Sequence, residues 1–145
     1  MNRFLLDVNT LIALLDPRHV FHDGAHRWLE KSSKLRWLTC PLVQNGFLRV
    51  VSQSSYPNQV GTTQEARTLL QQFCKDPRHE FCPDNISLLT ADILSRPEKL
   101  TPSRITDLYL LALAQHNGVR LASFDRGIPT DAVPKGHDSF FLIPS

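Results

Sequence analysis

The chain has 145 residues, 41% of them apolar, and carries 16 Lys and Arg against 14 Asp and Glu, a net charge of +2. That length fits one domain, residues 1–145, with a core large enough to need no disulfides. No apolar run is long enough to span a membrane, the N-terminus lacks the charged-then-apolar-then-small order of a signal peptide, and three cysteines show no metal-ligand spacing, so the expectation is a reduced, cytoplasmic protein.

In chain order, residues 3–8 (RFLLDV) read as a short strand, apolar enough for the centre of a parallel sheet, with Asp7 at its C-terminal end. Asn9 and Thr10 follow, and residues 11–15 continue as a short helix. Asp16-Pro17 makes a turn. Residues from about 20 to 34 read as a helix with Phe21, Ala25, Trp28 and Leu29 on one face. His22 and His26 in that helix resemble the zinc pattern HExxH. Asp replaces the Glu, Gly24 weakens the helix and no third ligand is evident, so packing and a polar helix edge are expected of them instead.

Residues 35–39 are a strand candidate, and Pro41 opens a helix at the first position, where Pro is tolerated. That helix runs to about Ser52, with Gln44 in its first turns, where it can face the same rim as Asp7, and Arg49 near its end. Residues 52–59 form a loop. Thr62 to Glu65 fits a capping box for a helix carrying Ala66, Leu69, Leu70 and Phe73. A turn at 76–79, a short strand at 80–82, an amphipathic helix at 86–94 and a proline-containing loop at 95–103 come next. Thr106 reads as the N-cap of a helix whose residues 108–114 are apolar or small, buried on most of its circumference. Asp107 lies in its first turn and Asn117-Gly118 ends it. Residues 119–124 are a strand with Asp125 at its C-terminal end, 126–131 are irregular, and 139–143 are a last strand. Strands and helices alternate, which predicts a three-layer α/β/α sandwich with a mainly parallel sheet.

Asp7 and Asp125 each end a strand, and ligands of parallel sheets bind outside the carboxyl ends of the strands. The first turn of a helix can bring Asp107 to the same rim. Each acid alone reads as a cap or a first-turn charge; together they read as a site. Three close carboxylates repel, and a hard divalent cation, Mg²⁺ or Mn²⁺, resolves the repulsion. A polyanionic substrate suits a surface made more basic by gathering acids into one cleft.

Four stretches in order carry a resemblance: LLDVNTLIALLD (5–16), TCPLVQNGFLRVVS (39–52), ITDLYLLALA (105–114) and LASFDRGI (121–128). They resemble the motifs of PIN-domain nucleases, and their order and spacing resemble the VapC-like toxins of type II toxin–antitoxin pairs. The stretch HVFHDGAHRWL (19–29) fits one branch of that family. The resemblance implies a Mg²⁺- or Mn²⁺-dependent endoribonuclease, often a homodimer, held inactive by a VapB-like antitoxin. Carried over, Asp7, Asp107 and Asp125 are metal-binding acids, with Asn9 and Ser123 supporting them by hydrogen bonds. Gln44 stands where the family usually has a Glu, a departure that bears on metal stoichiometry and activity. Arg49, Arg104 and Arg126 are candidates to hold the RNA backbone. Two rivals remain: a PIN domain that binds RNA or a partner without turnover, and a haloacid-dehalogenase-type phosphatase, whose Asp-x-Asp is not matched by DVN (7–9).

Overall fold

The computed structural model describes residues 2–145. Five short strands, β1 (Arg3–Leu6), β2 (Arg36–Thr39), β3 (His79–Phe81), β4 (Arg120–Ser123) and β5 (Phe140–Leu142), form one sheet in the order β3-β2-β1-β4-β5, and every pairing is parallel. β1 is therefore central, which is why Phe4, Leu5 and Leu6 are all buried. Parallel strands need crossovers. Helices α1 (Val8–Leu15) and α2 (His22–Leu29) join β1 to β2, and α3 (Pro41–Val51) and α4 (Thr63–Phe73) join β2 to β3. α5 (Ile105–His116) precedes β4. The order of strands moves outward through β1, β2 and β3, then returns past β1 to β4. Right-handed crossovers then place α1 to α4 on one face and α5 on the other. Accordingly α1 packs on α2 and α3, α3 packs on α4, and α5 lies against β1 and β4. This is the expected three-layer sandwich.

The core explains the helix positions. α5 buries Leu108 and every residue from Leu110 to Ala114, as its apolar run predicts. Its end is set by Gly118, whose φ of 68° suits a residue without a Cβ and turns the chain into β4. α3 crosses α1 at Gly46, where an added Cβ would stand 2.7 Å from Val8 Cγ2. The capping box is present: Thr62 accepts from the Glu65 N–H and Glu65 reaches back to the Thr62 N–H, both at 3.1 Å. His22 and His26 contact the Ala13 and Leu14 carbonyls at 2.7 and 2.8 Å. They thus satisfy carbonyls left open at the end of α1, a structural use rather than a zinc site.

Some expectations are corrected. Residues 86–94 form turns and irregular chain, not a helix: Ile86, Ile93 and Leu94 pack against the core, but Leu89 is 95% exposed, the Ser87 hydroxyl accepts the Leu89 N–H, and Asp92 sits at φ 63°. Thr106 is not an N-cap. A 3₁₀ turn, Pro102–Arg104, runs directly into α5, so Arg104 takes that position and Thr106 lies inside the helix. The loop at 95–103 contains a second such turn, Pro97–Lys99, and the irregular stretch contains a third, Thr130–Ala132. The second helix is shorter than expected, and the third strand begins one residue earlier. Among the described residues no helix is long and apolar enough to cross a membrane, and Cys40, Cys74 and Cys82 are all free.

Candidate active site

β1 and β4 are neighbours, with Leu6 paired to Ala122, so the residues just past them emerge side by side. Asp7 follows β1 and is the N-cap of α1: its Oδ1 accepts the Thr10 N–H at 2.8 Å. Thr10 is itself buried, and its hydroxyl donates to the Ala122 carbonyl at 3.3 Å, which ties the start of α1 to β4. Ser123 ends β4. Its hydroxyl contacts the Asp7 carboxyl and accepts the Asp125 N–H at 3.0 Å, so one buried oxygen links two of the acids. Asp107, in the first turn of α5, is near enough for its charge to act on Asp7. The three predicted acids therefore stand at one rim of the sheet.

Arg104 joins two of them. Its Nη1 donates to Asp107 Oδ2 at 2.9 Å and to Asp125 Oδ2 at 2.8 Å. Asp125 Oδ1 accepts the Gly127 N–H at 2.8 Å. The acids differ in depth. Asp7 is 7% exposed, while the side chains of Asp107 and Asp125 are 23% and 44% exposed. Burial pushes the Asp7 carboxyl above the ordinary range, against the lowering effect of Ser123 and Thr10, and the Asp107 charge adds to the rise. The Gly127 N–H, with Arg104 beside it, holds Asp125 below that range despite partial burial. One fold thus sets two carboxyls apart in basicity.

Asn9 is exposed on α1 and, with Asp125 and Ser123, lines a cleft of about 320 Å³ whose other walls are His19, Val20, Phe21 and Phe124. Phe21 and Phe124 stack with ring centroids 4.5 Å apart, 10° from parallel. A larger cavity of about 610 Å³, walled by Phe4, Trp28, Arg27 and Arg120, contains none of the acids. Gln44 lies at the same rim by a different route. Its Nε2 donates to the Thr39 hydroxyl at 3.0 Å, and that hydroxyl sits 2.7 Å from His79 Nε2. The side chain is thus held by the end of β2. Arg126 is exposed beside Asp125, whereas Arg49 lies ~12 Å further along α3 from its rim end.

Asp7, Asp107, Asp125, Asn9 and Ser123 offer only oxygen donors, the set a hard divalent cation selects, so the residues fit Mg²⁺ or Mn²⁺ in kind. Among the described residues no three His, Cys, Asp or Glu side chains converge on a metal position as they stand. The two outer acids are closed on Arg104 instead. Arg104, expected among the RNA contacts, also bridges two of the acids, and Thr10, Thr39 and His79 join the network although their side chains carry no such mark in the sequence. For Arg104 an i, i+3 spacing to Asp107 was the one visible signal.

Residues 4–132 match the sequence model of the PIN domain. The chain is 40% identical over 132 residues to Ribonuclease VapC44 of Mycobacterium tuberculosis, covering 91% of this chain and 92% of the relative. It is 37% identical over 127 residues to Ribonuclease VapC38 of the same organism, covering 87% of each, and 36% identical over 128 residues to Ribonuclease VapC39, covering 88% and 92%.

Proposed function

The chain belongs to the PIN-domain family, and from that premise we propose that it is a Mg²⁺- or Mn²⁺-dependent endoribonuclease, the toxin of a toxin–antitoxin pair. The observation that carries the reading is the convergence of Asp7, Asp107 and Asp125 on one rim, linked through the Ser123 hydroxyl and Arg104. The named relatives support ribonuclease chemistry in particular.

Asp7, Asp107 and Asp125 would hold the cation, with Asn9 and Ser123 at its margin. When bound, the cation supplies Lewis acidity toward the phosphate and lowers the pKa of water. The protein's own part is positional. Thr10 and Ser123 fix the Asp7 carboxyl, so its oxygens need no reorganisation when charge arrives. The solvent-exposed Asp125, held ionised, is placed to orient the attacking water. Water adds to phosphorus in line, the P–O3′ bond breaks, and a 3′-hydroxyl and a 5′-phosphate result. The stacked pair Phe21–Phe124 beside Asp125 offers a face for a base of the RNA, and Arg126 a charge for its backbone. A VapB-like antitoxin, a homodimer and a cytoplasmic setting belong to the same proposal.

The test is cleavage of labelled RNA by the purified chain, free of antitoxin, with Mg²⁺ or Mn²⁺ and with excess EDTA. Cleavage that needs the metal and vanishes in the Asp107→Asn protein is expected. Full cleavage in EDTA, or in Asp107→Asn, would overturn the mechanism. Metal-bound RNA without turnover would instead support the non-catalytic binding domain.

A further inference from the structure

The bridge made by Arg104 is built from more than one element. Arg104 stands where the Pro102–Arg104 turn meets α5, three residues before Asp107, while Asp125 follows β4. One nitrogen, Nη1, has two N–H groups and directs one at each carboxylate, 2.9 and 2.8 Å away. Those are lengths of charge-assisted bonds. The guanidinium also lies close against Gly127. A Cβ on Gly127 would stand 2.6 Å from Arg104 Nη2, with Asp125 Oδ1 at 3.4 Å and Arg104 Cζ at 3.7 Å the next nearest atoms. Gly127 lacks positive φ, so its backbone does not demand glycine. The space beside it is filled by the end of the Arg104 side chain, which a Cβ would push aside.

The oxygens that receive these N–H groups are among those a divalent cation would use. Mg²⁺ binds oxygen at about 2.1 Å. A cation at that distance from Asp107 Oδ2 and Asp125 Oδ2 takes the place now held by Nη1 and repels its charge. The cation and the guanidinium therefore exclude one another between this pair of acids.

We propose that Arg104 is a tethered counter-ion that competes with the divalent cation for Asp107 and Asp125. The proposal rests on the metal-site reading above. It holds the two outer acids neutralised while the cation is absent, and it sets how much metal is needed to open the site. Once displaced, the guanidinium stays on its tether at the mouth of the site, where a phosphodiester oxygen is its natural partner. Arg104 thus acts with opposite signs on the two ligands, weakening metal binding and strengthening RNA binding.

The test uses Mn²⁺ alone as probe, titrated by electron paramagnetic resonance of the free ion into the wild-type, Arg104→Ala, Gly127→Ala and Asp107→Asn proteins, each checked for folding by its thermal melt. A non-cleavable RNA oligonucleotide is titrated in parallel in the presence of saturating Mn²⁺. Arg104→Ala is expected to tighten Mn²⁺ roughly tenfold, the scale for removing one partly screened cation beside a divalent site, and to weaken RNA several-fold. Gly127→Ala keeps the charge but displaces it from the acids, so it is expected to tighten Mn²⁺ by a smaller factor, about threefold, with RNA binding retained. Unchanged or weaker Mn²⁺ binding in both variants would overturn the proposal. The metal-site reading would still stand in that case if the wild-type protein bound Mn²⁺ and Asp107→Asn lost it. No Mn²⁺ binding by any of the four proteins would overturn both.

Discussion

Replacing Asp7 by Asn separates the stability of this fold from its function. Asp7 is 7% exposed, and its carboxyl is held by the Thr10 N–H and the Ser123 hydroxyl, both neutral groups. Keeping a charge at that depth costs several kcal/mol after relaxation. Two hydrogen bonds to a charged group return about 1.5–3 kcal/mol each. The raised carboxyl shows that burial costs more than those bonds return, so an ionised Asp7 is net destabilising. Asn retains the N-cap bond to Thr10, being as good a cap as Asp, and removes the charge. In EDTA at pH 8, Asp7→Asn should therefore melt higher, by about 2–4 °C for each kcal/mol of charge cost relieved, the scale usual for a domain of this size. The pH dependence follows from the raised folded pKa. In the folded state Asp7 holds its proton to a higher pH than in the unfolded chain. Wild-type stability is thus full below the ordinary carboxylate pKa and falls as pH rises through the folded value. The gap between the two proteins should close on acidification. Saturating Mn²⁺ should invert the ranking, because binding to the native wild-type adds about 2.7 kcal/mol at a hundredfold excess over Kd. Scanning calorimetry of both proteins at pH 8 and pH 4, with EDTA and with Mn²⁺, decides it. An Asp7→Asn protein that melts lower in EDTA at pH 8, or a gap that does not move with pH, would refute the reasoning.

Gln44→Glu should tighten Mn²⁺ binding and raise the cleavage rate by adding a charge at the rim, measured by calorimetric titration with cleavage in parallel; no change in either puts Gln44 outside the site. Gly46→Ala should lower stability by about 1–2 kcal/mol, because its Cβ would sit 2.7 Å from Val8 Cγ2 and overpacking outweighs the gain in helix propensity. Val8 follows Asp7, so cleavage should fall further than the melting temperature implies, and an unchanged melt would contradict the packing. Phe21→Ala should weaken RNA binding several-fold while leaving Mn²⁺ affinity alone, since Phe21 lines the cleft as an uncharged stacking partner of Phe124.

The central strands and α5 were legible because burial on both faces leaves an unbroken apolar run, visible in residues 4–6 and 108–114. The two strand-end acids were legible for the same reason: once β1 and β4 are recognised, Asp7 and Asp125 must stand at their carboxyl ends. Residues 86–94 misled because apolar residues recur there at helical spacing, yet Leu89 points to solvent and Asp92 leaves the helical region altogether. Ile86, Ile93 and Leu94 still meet the core, but from irregular chain: periodicity reports which residues turn inward, not the backbone that carries them. The Thr39–His79 and Arg104–Asp125 contacts were hidden for a different reason. Their partners lie 40 and 21 residues apart, and only the sheet order brings them together. Among the arginines near the motifs, Arg104 carries one local mark, its i, i+3 spacing to Asp107, and none that points to Asp125.

The depth of each acid has a consequence for how charge is managed at this rim. Arg104 bonds Asp107 and Asp125, the two acids nearer solvent, and makes no such bond to Asp7. Among the described residues Asp7 is therefore the acid of the three that Arg104 does not bond, and burial makes its charged form costly. A divalent ion entering the site gains most from the charge that Arg104 does not compensate. The outer acids lose a partner as they gain the ion, so their net contribution is smaller. In this arrangement the innermost acid supplies most of the attraction and Arg104 sets the threshold against it. Removing Asp7 should then weaken Mn²⁺ more than removing Asp125 does, although Asp125 is the more open to the incoming ion. Titration of Asp7→Asn and Asp125→Asn side by side tests that order, and a larger loss in Asp125→Asn would mean that access, not uncompensated charge, governs the site.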